Sequence, residues 1–150
     1  MTPEGKKFFE SLSELGKLAV YVGFTEQSGR YDKEGEGNAT VAQIAAFNEF
    51  GTSTIPARPF MQDTVNQHPE EVKALFKDAM SQIKHGAEAQ QILNQIGVTA
   101  VGMMQEQILD GQYAPNAPST IRKKTKDGKV GDHPLIDTAR MLQNIKYVIR

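Results

Sequence analysis

His68, His85 and His133 are the side chains best suited to proton transfer or metal binding near neutral pH in this 150-residue chain. They lie far apart in sequence and share no ligand spacing. There is no HExxH pair, no phosphate-cradling glycine loop and no nucleophile elbow. His133 stands beside Asp132 and four residues before Asp137, so a relay through Ser119 is conceivable on paper. Nothing in the pattern supplies the oxyanion hole or the positioned nucleophile such a relay needs. The expectation is a chain that is not an enzyme and carries neither cofactor nor metal.

The densest positive charge is the run Arg122, Lys123, Lys124, Thr125, Lys126, Asp127, Gly128, Lys129. It reads either as a solvated loop or as a patch facing DNA phosphates or an acidic neighbouring subunit. No aromatic residue interleaves it, so any contact with DNA is expected to be with the backbone and non-specific. Over the whole chain 17 basic residues nearly balance 18 acidic ones, which leaves no overall field to attract nucleic acid or anionic membrane. The absence of cysteine excludes a disulfide framework and a thiolate metal site. The longest apolar runs fall far short of the roughly 20 residues that span a bilayer, and the first residues lack a signal-peptide apolar region. The chain is expected to be soluble and intracellular, with no membrane contact, and to form one domain over residues 1–150.

Residues 41–61 organise the rest. Val41, Ile44, Ala45 and Phe47 share one apolar helical face. Gly51 is placed to end that helix in a left-handed conformation. Pro56 and Pro59, set around Arg58, then forbid helix and favour an extended arm before a helix restarts at Phe60. The stretch presents Glu49, Arg58 and Phe60 at fixed positions. Glu49 and Arg58 are spaced either to pair across the turn or to let Arg58 reach a neighbouring chain. Tyr113, near Pro115 and Pro118, is either covered by its own loop or an exposed interface anchor.

Around that centre, residues 3–16 pattern as a helix and residues 18–25 as a strand with period-two alternation, in which Gly23 suggests a bulge or a close approach by another backbone. The polar, glycine-rich residues 28–39 read as a surface loop or as an assembly arm. Residues 60–67 suit a short helix, and Pro69 suits the first turn of the next. Val72, Leu75, Phe76, Ala79, Met80 and Ile83 form its apolar stripe. A longer helix is expected over residues 87–109, burying Ile92, Ile96, Met103, Met104 and Ile108, with Val98, Ala100 and Gly102 leaving room for another element. Residues 110–131 read as loop with a helical turn at residues 119–122. A short helix capped by Asp137 or Thr138 follows, and residues 144–150 close the chain as a strand. The fold class expected is α+β: a small, mostly antiparallel sheet with strands near both termini, packed against several helices, with long loops.

Two stretches together resemble a known family. Residues 48–61, NEFGTSTIPARPFM, resemble a signature of tailed-bacteriophage neck and tail-completion proteins, also called virion-morphogenesis or minor tail proteins. The second half of that pattern is similar to residues 114–149 at Ala114, Pro115, Asn116, Thr120, Ile121, Lys124, Pro134, Leu135, Ile136, Asp137, Thr138, Leu142, Ile145, Tyr147 and Val148. Ala139 departs from the glycine, and Tyr113 from the tryptophan, that the family usually has. The resemblance implies a non-enzymatic virion protein of the neck or tail, assembled in the bacterial cytoplasm as a ring of copies of itself, next to head–tail connector, tail-terminator or tail-tube proteins. Its expected interface residues are Glu49, Arg58, Phe60, Tyr113, Arg122, Lys123 and Lys124, on surfaces that include residues 28–39, the arm at residues 55–60 and residues 113–134. A tail terminator that fixes tail length, and a DNA-binding accessory protein using Lys123, Lys124, Lys126 and Lys129, are the alternatives.

Overall fold

A computed structural model describes residues 2–25, 28–30, 39–126, 133–135 and 140–150, with the side chains of residues 123–126 outside that description. The described residues form seven helices and two strands in an α+β arrangement. Helix α1 (Pro3–Leu15) leads into strand β1 (Val20–Gly23), and α2 (Val41–Phe50), α3 (Phe60–Asn66) and α4 (Pro69–Lys84) follow. The long helix α5 (Ala89–Asp110) then runs to α6 (Pro118–Lys126), α7 (Arg140–Asn144) and strand β2 (Lys146–Ile149). β1 and β2 pair antiparallel, Val20 opposite Ile149 and Val22 opposite Tyr147, so the two ends of the chain close one sheet.

Local chemistry sets several of these boundaries. The Thr2 hydroxyl accepts from the Gly5 amide and caps α1, with Pro3 in its first turn. Thr40 and Gln43 form a reciprocal capping box at the start of α2. Two acids, Glu70 and Glu71, occupy the first turn of α4 and Lys84 its last, each on the side its helix dipole favours.

α5 is the spine. Its first half joins a cluster with Ala79 and Ile83 of α4, through Ile92, while its second half joins the main core through Met104 and Ile108. That main core also holds Val41, Ala45, Phe60, Leu135, Met141 and Ile145. The rings of Phe24 and Phe60 meet edge to face at 6.2 Å, tying the residue after β1 to α3. Among the described residues no helix is long and apolar enough to cross a membrane.

Several expectations are corrected. The buried face of α2 is Val41, Ala45 and Glu49, whereas Phe47 is exposed. On α4 only Ala79 and Ile83 are buried, and Phe76 and Met80 face outward, because α4 meets the molecule on one narrow side. The backbone turns with positive φ at Gly51, but at ψ 173 it is extended rather than left-handed helical. Residues 118–126 form a complete helix where only a turn was expected. The close approach on α5 occurs at Gly97 instead of at Val98, Ala100 or Gly102: a Cβ there would lie 2.3 Å from the Tyr147 ring. Residues 31–38 of the expected loop and the expected caps Asp137 and Thr138 lie outside the described residues.

Gly97→Ala therefore drives a methyl group into Tyr147 at the contact between helix and sheet. Urea unfolding is expected to show a loss of about 1–3 kcal/mol from overpacking, despite the better helix propensity of alanine.

Candidate functional site

Residues 48–61 and the loop that follows α5 are joined through one side chain. Arg58 is 4 % exposed, and its guanidinium donates in three directions. Nε donates to the Ala114 carbonyl at 2.8 Å, one terminal nitrogen to the Pro115 carbonyl at 3.0 Å and the other to Asn48 Oδ1 at 2.9 Å. Its backbone amide also donates to the Asn48 carbonyl at 2.6 Å. Burial pulls the Arg58 pKa down from its ordinary value. A planar fork of donors satisfies three separate oxygens here as a point charge does not.

Glu49 does not pair with Arg58, which was one of the two readings their spacing allowed. Its two carboxylate oxygens accept from the amides of Met61 at 2.9 Å and Gln62 at 3.1 Å. These are orphan donors of the first turn of α3, where the preceding Pro59 provides no side-chain cap. A buried acid of α2 thus caps α3, at the end where the dipole favours negative charge. The intervening turn is closed by Thr52, whose amide donates to Ile55 and whose hydroxyl accepts from the amides of Thr54 and Ile55. Gly51 makes this turn possible. Its φ of +72° is strained for other residues, and a Cβ would come within 2.9 Å of the Ala57 nitrogen.

Phe60 is fully buried and anchors the core instead of presenting itself. Tyr113 is half-buried: its hydroxyl accepts from Gln107 Nε2 at 2.8 Å, and burial raises its pKa. It packs against the core beneath its own loop, which selects that reading over the exposed anchor. Arg122 is exposed on α6. The backbones of Lys123 and Lys124 continue α6, while their side chains are outside the described residues. His133 reaches the Leu109 carbonyl through Nε2 at 2.6 Å, a structural tie.

Residues not singled out by sequence complete the arrangement. Asn48 accepts two of the four Arg58 hydrogen bonds, one at Oδ1 and one at its carbonyl, and donates from its side chain to the Ile44 carbonyl. Gln107, buried in α5, bridges Tyr113 and His68. The only signal for Asn48 was its place in the NEFG stretch, and Gln107 gave none, since a glutamine in a helix is unremarkable until a tyrosine folds back on it. A cleft of about 230 Å³ opens beside the latch, lined by Asn48, Thr54, Ile55, Arg58, Asn116 and Thr120. It is smaller than an ordinary ligand pocket, and among the described residues no group of three or more acidic or histidine side chains is placed to hold a metal ion. Comparison with family models, curated proteins and solved structures finds no match to the chain.

Large apolar side chains remain on the outside. Phe50 is 81 % exposed and Phe47 lies on the same outer side of α2, close to the latch. Phe9, Phe76 and Val98 are also more than half exposed.

Arg58→Ala leaves two carbonyls and Asn48 without their donor. The expected loss is about 1–3 kcal/mol of folding stability by urea denaturation, and Arg58→Lys should recover little of it. The effect on the fold comes before any effect on assembly, unlike an interface arginine, whose loss leaves the monomer intact. His68 gives a pH dependence. Its pKa is raised first by the hydrogen bond to Gln107 and next by the charge and hydrogen bond of Glu71, against an opposing effect of burial. A raised folded-state pKa stabilises most below the unfolded value of about 6.5, and that stabilisation disappears as pH rises through the folded value. The urea midpoints of wild type and His68→Gln should differ most near pH 6 and converge towards pH 8.

Proposed function

We propose that this chain is a structural, non-enzymatic protein of a tailed-phage virion that completes the head-proximal end of the tail and takes part in joining it to the head, as a ring of identical copies. The observation that carries this reading is the latch. The two signature stretches, more than fifty residues apart, meet through the bonds from Arg58 to Ala114 and Pro115. A signature whose halves support one another in space is a fold-level unit, and the resemblance gains weight from that. Chance similarity in two unrelated surface loops has no reason to converge on one buried arginine.

Other features agree. The cleft beside the latch is small, and exposed aromatic and aliphatic side chains suit a subunit that works in contact with neighbours. The partners in this reading are further copies of the chain and the connector, terminator or tail-tube proteins above and below. In this reading Arg122, exposed on α6, is placed for non-specific contact with DNA passing through such a ring, and Lys123 and Lys124 follow it in sequence.

Electron microscopy of particles made by a phage lacking this gene tests the proposal. Filled heads beside separate tails of normal length are expected. Overlong or irregular tails would move the role to tail termination, and normal infectious particles would overturn both.

A further inference from the structure

Arg58 carries a charge that its partners do not balance. Its side-chain bonds go to the Ala114 and Pro115 carbonyls and to Asn48 Oδ1, all of them neutral acceptors. A guanidinium has five N–H donors. These bonds engage one on each nitrogen, and the second N–H of each terminal nitrogen has no acceptor among the described residues. Glu49 commits both carboxylate oxygens to the amides of Met61 and Gln62. Among the described residues no acid forms an ion pair with Arg58, and burial alone acts on its pKa. A buried cation is costly to keep without a counter-ion.

The cleft of about 230 Å³ beside the latch brings a second set of donors to the same place. Its lining includes Asn48, Thr54, Arg58, Asn116, Ala117 and Thr120, and no acid among the described residues. Ala117 and Thr120 belong to the start of α6. The Ile121 amide donates to the Ala117 carbonyl at 3.1 Å, so Ala117 is the N-cap and Pro118 opens the helix. Alanine offers no side-chain oxygen for capping, and no acid occupies the first turn. The amides of Ser119 and Thr120 are orphan donors by position, and neither meets an acceptor among the described residues. Arg58 itself fixes where this helix begins, because it holds the carbonyls of Ala114 and Pro115 just before Ala117.

We propose that this cleft binds a carboxylate, held between the remaining N–H groups of Arg58 and the first turn of α6 with its Thr120 hydroxyl. The helix end adds partial positive charge to the full charge of the guanidinium in one small volume. Donors outnumber acceptors there, because Arg58 already occupies Asn48 Oδ1 and both loop carbonyls. One guanidinium balances one negative charge. A monoanion therefore fits better than a phosphate dianion, whose second charge would lose water without gaining a partner. A planar carboxylate also matches the geometry of the arginine fork. The cleft has room for a carboxylate on a short stem and not for an ordinary ligand. Two sources carry this chemistry, a free small carboxylate and the side chain of an acidic residue on another chain. The site goes beyond the virion reading and does not depend on it.

NMR of the full chain tests this with sodium acetate as the probe, against sodium chloride at equal ionic strength near neutral pH. Saturable shifts are expected with acetate, and not with chloride, at Arg58 Nε–H and at the Ser119 and Thr120 amides. Thr120 is exposed, so Thr120→Val leaves the fold intact. It should weaken acetate binding roughly fivefold, the loss of one hydrogen bond, with the thermal midpoint unchanged. Ala117→Asp supplies a carboxylate from the chain itself at an exposed position. It should raise the thermal midpoint and abolish the acetate response. N-acetylglutamate N-methylamide separates the two sources. Binding as tight as that of acetate assigns the site to an acidic side chain, and its exclusion while acetate binds assigns the site to a free carboxylate. Absence of saturable shifts at those three groups would overturn the proposal. A full acetate response in Ala117→Asp would do the same, and inorganic phosphate binding as tightly as acetate would overturn the carboxylate as its ligand.

Discussion

Everything near the signature depends on a buried arginine that must be fully satisfied. A guanidinium taken out of water is costly unless each face of its fork meets an acceptor. Arg58 meets that demand by drawing three oxygens from two distant parts of the chain onto one plane. That requirement fixes the extended arm before α3, holds the loop after α5 against α2, and puts Tyr113 where Gln107 can reach its hydroxyl. Glu49 works alongside it. By capping α3 from α2, it sets the direction in which the chain restarts as helix after two prolines. Asn48 and Glu49 thus face different tasks from adjacent positions, one serving the arginine and the other the next helix.

The second constraint is α5, which belongs to both core clusters and underlies the sheet. Its two mid-helix glycines have opposite surroundings. Gly97 is closed in by Tyr147, while Gly102 faces open space. The first explains how a strand made of the last residues sits so close to the helix. The second has no explanation within one subunit, and it lies in the only charge-free exposed stretch of this helix.

Much of this organisation was legible in the sequence. Period-two alternation located both strands, and prolines with glycines located the arm and the breaks between helices. The pairing of the two ends followed from their being the only good strands. Partner choice was not legible. Glu49 and Arg58 are opposite charges across a turn, and pairing them is the simplest guess. It fails because each has stronger obligations, the carboxylate to orphan amides of α3 and the guanidinium to carbonyls more than fifty residues away. Phe47 and Phe76 misled for a different reason. Helical periodicity identifies which residues share a face, but how wide a face is covered depends on neighbours that sequence spacing alone does not reveal. Phe60 and Arg58, read as presented groups, are interior ones, since a proline-flanked arm can be rigid because it is buried as well as because it is displayed.

The most direct test of the latch is native-state amide hydrogen exchange read residue by residue. The amides of Arg58, Met61 and Gln62 are donors in the latch and in the cap that Glu49 provides. They should exchange only as slowly as the core of α5 around Met104 and Ile108, through global unfolding. Rapid exchange at those three amides while α5 stays protected would mean that the arm opens independently, and that the fold does not depend on Arg58 and Glu49 as described.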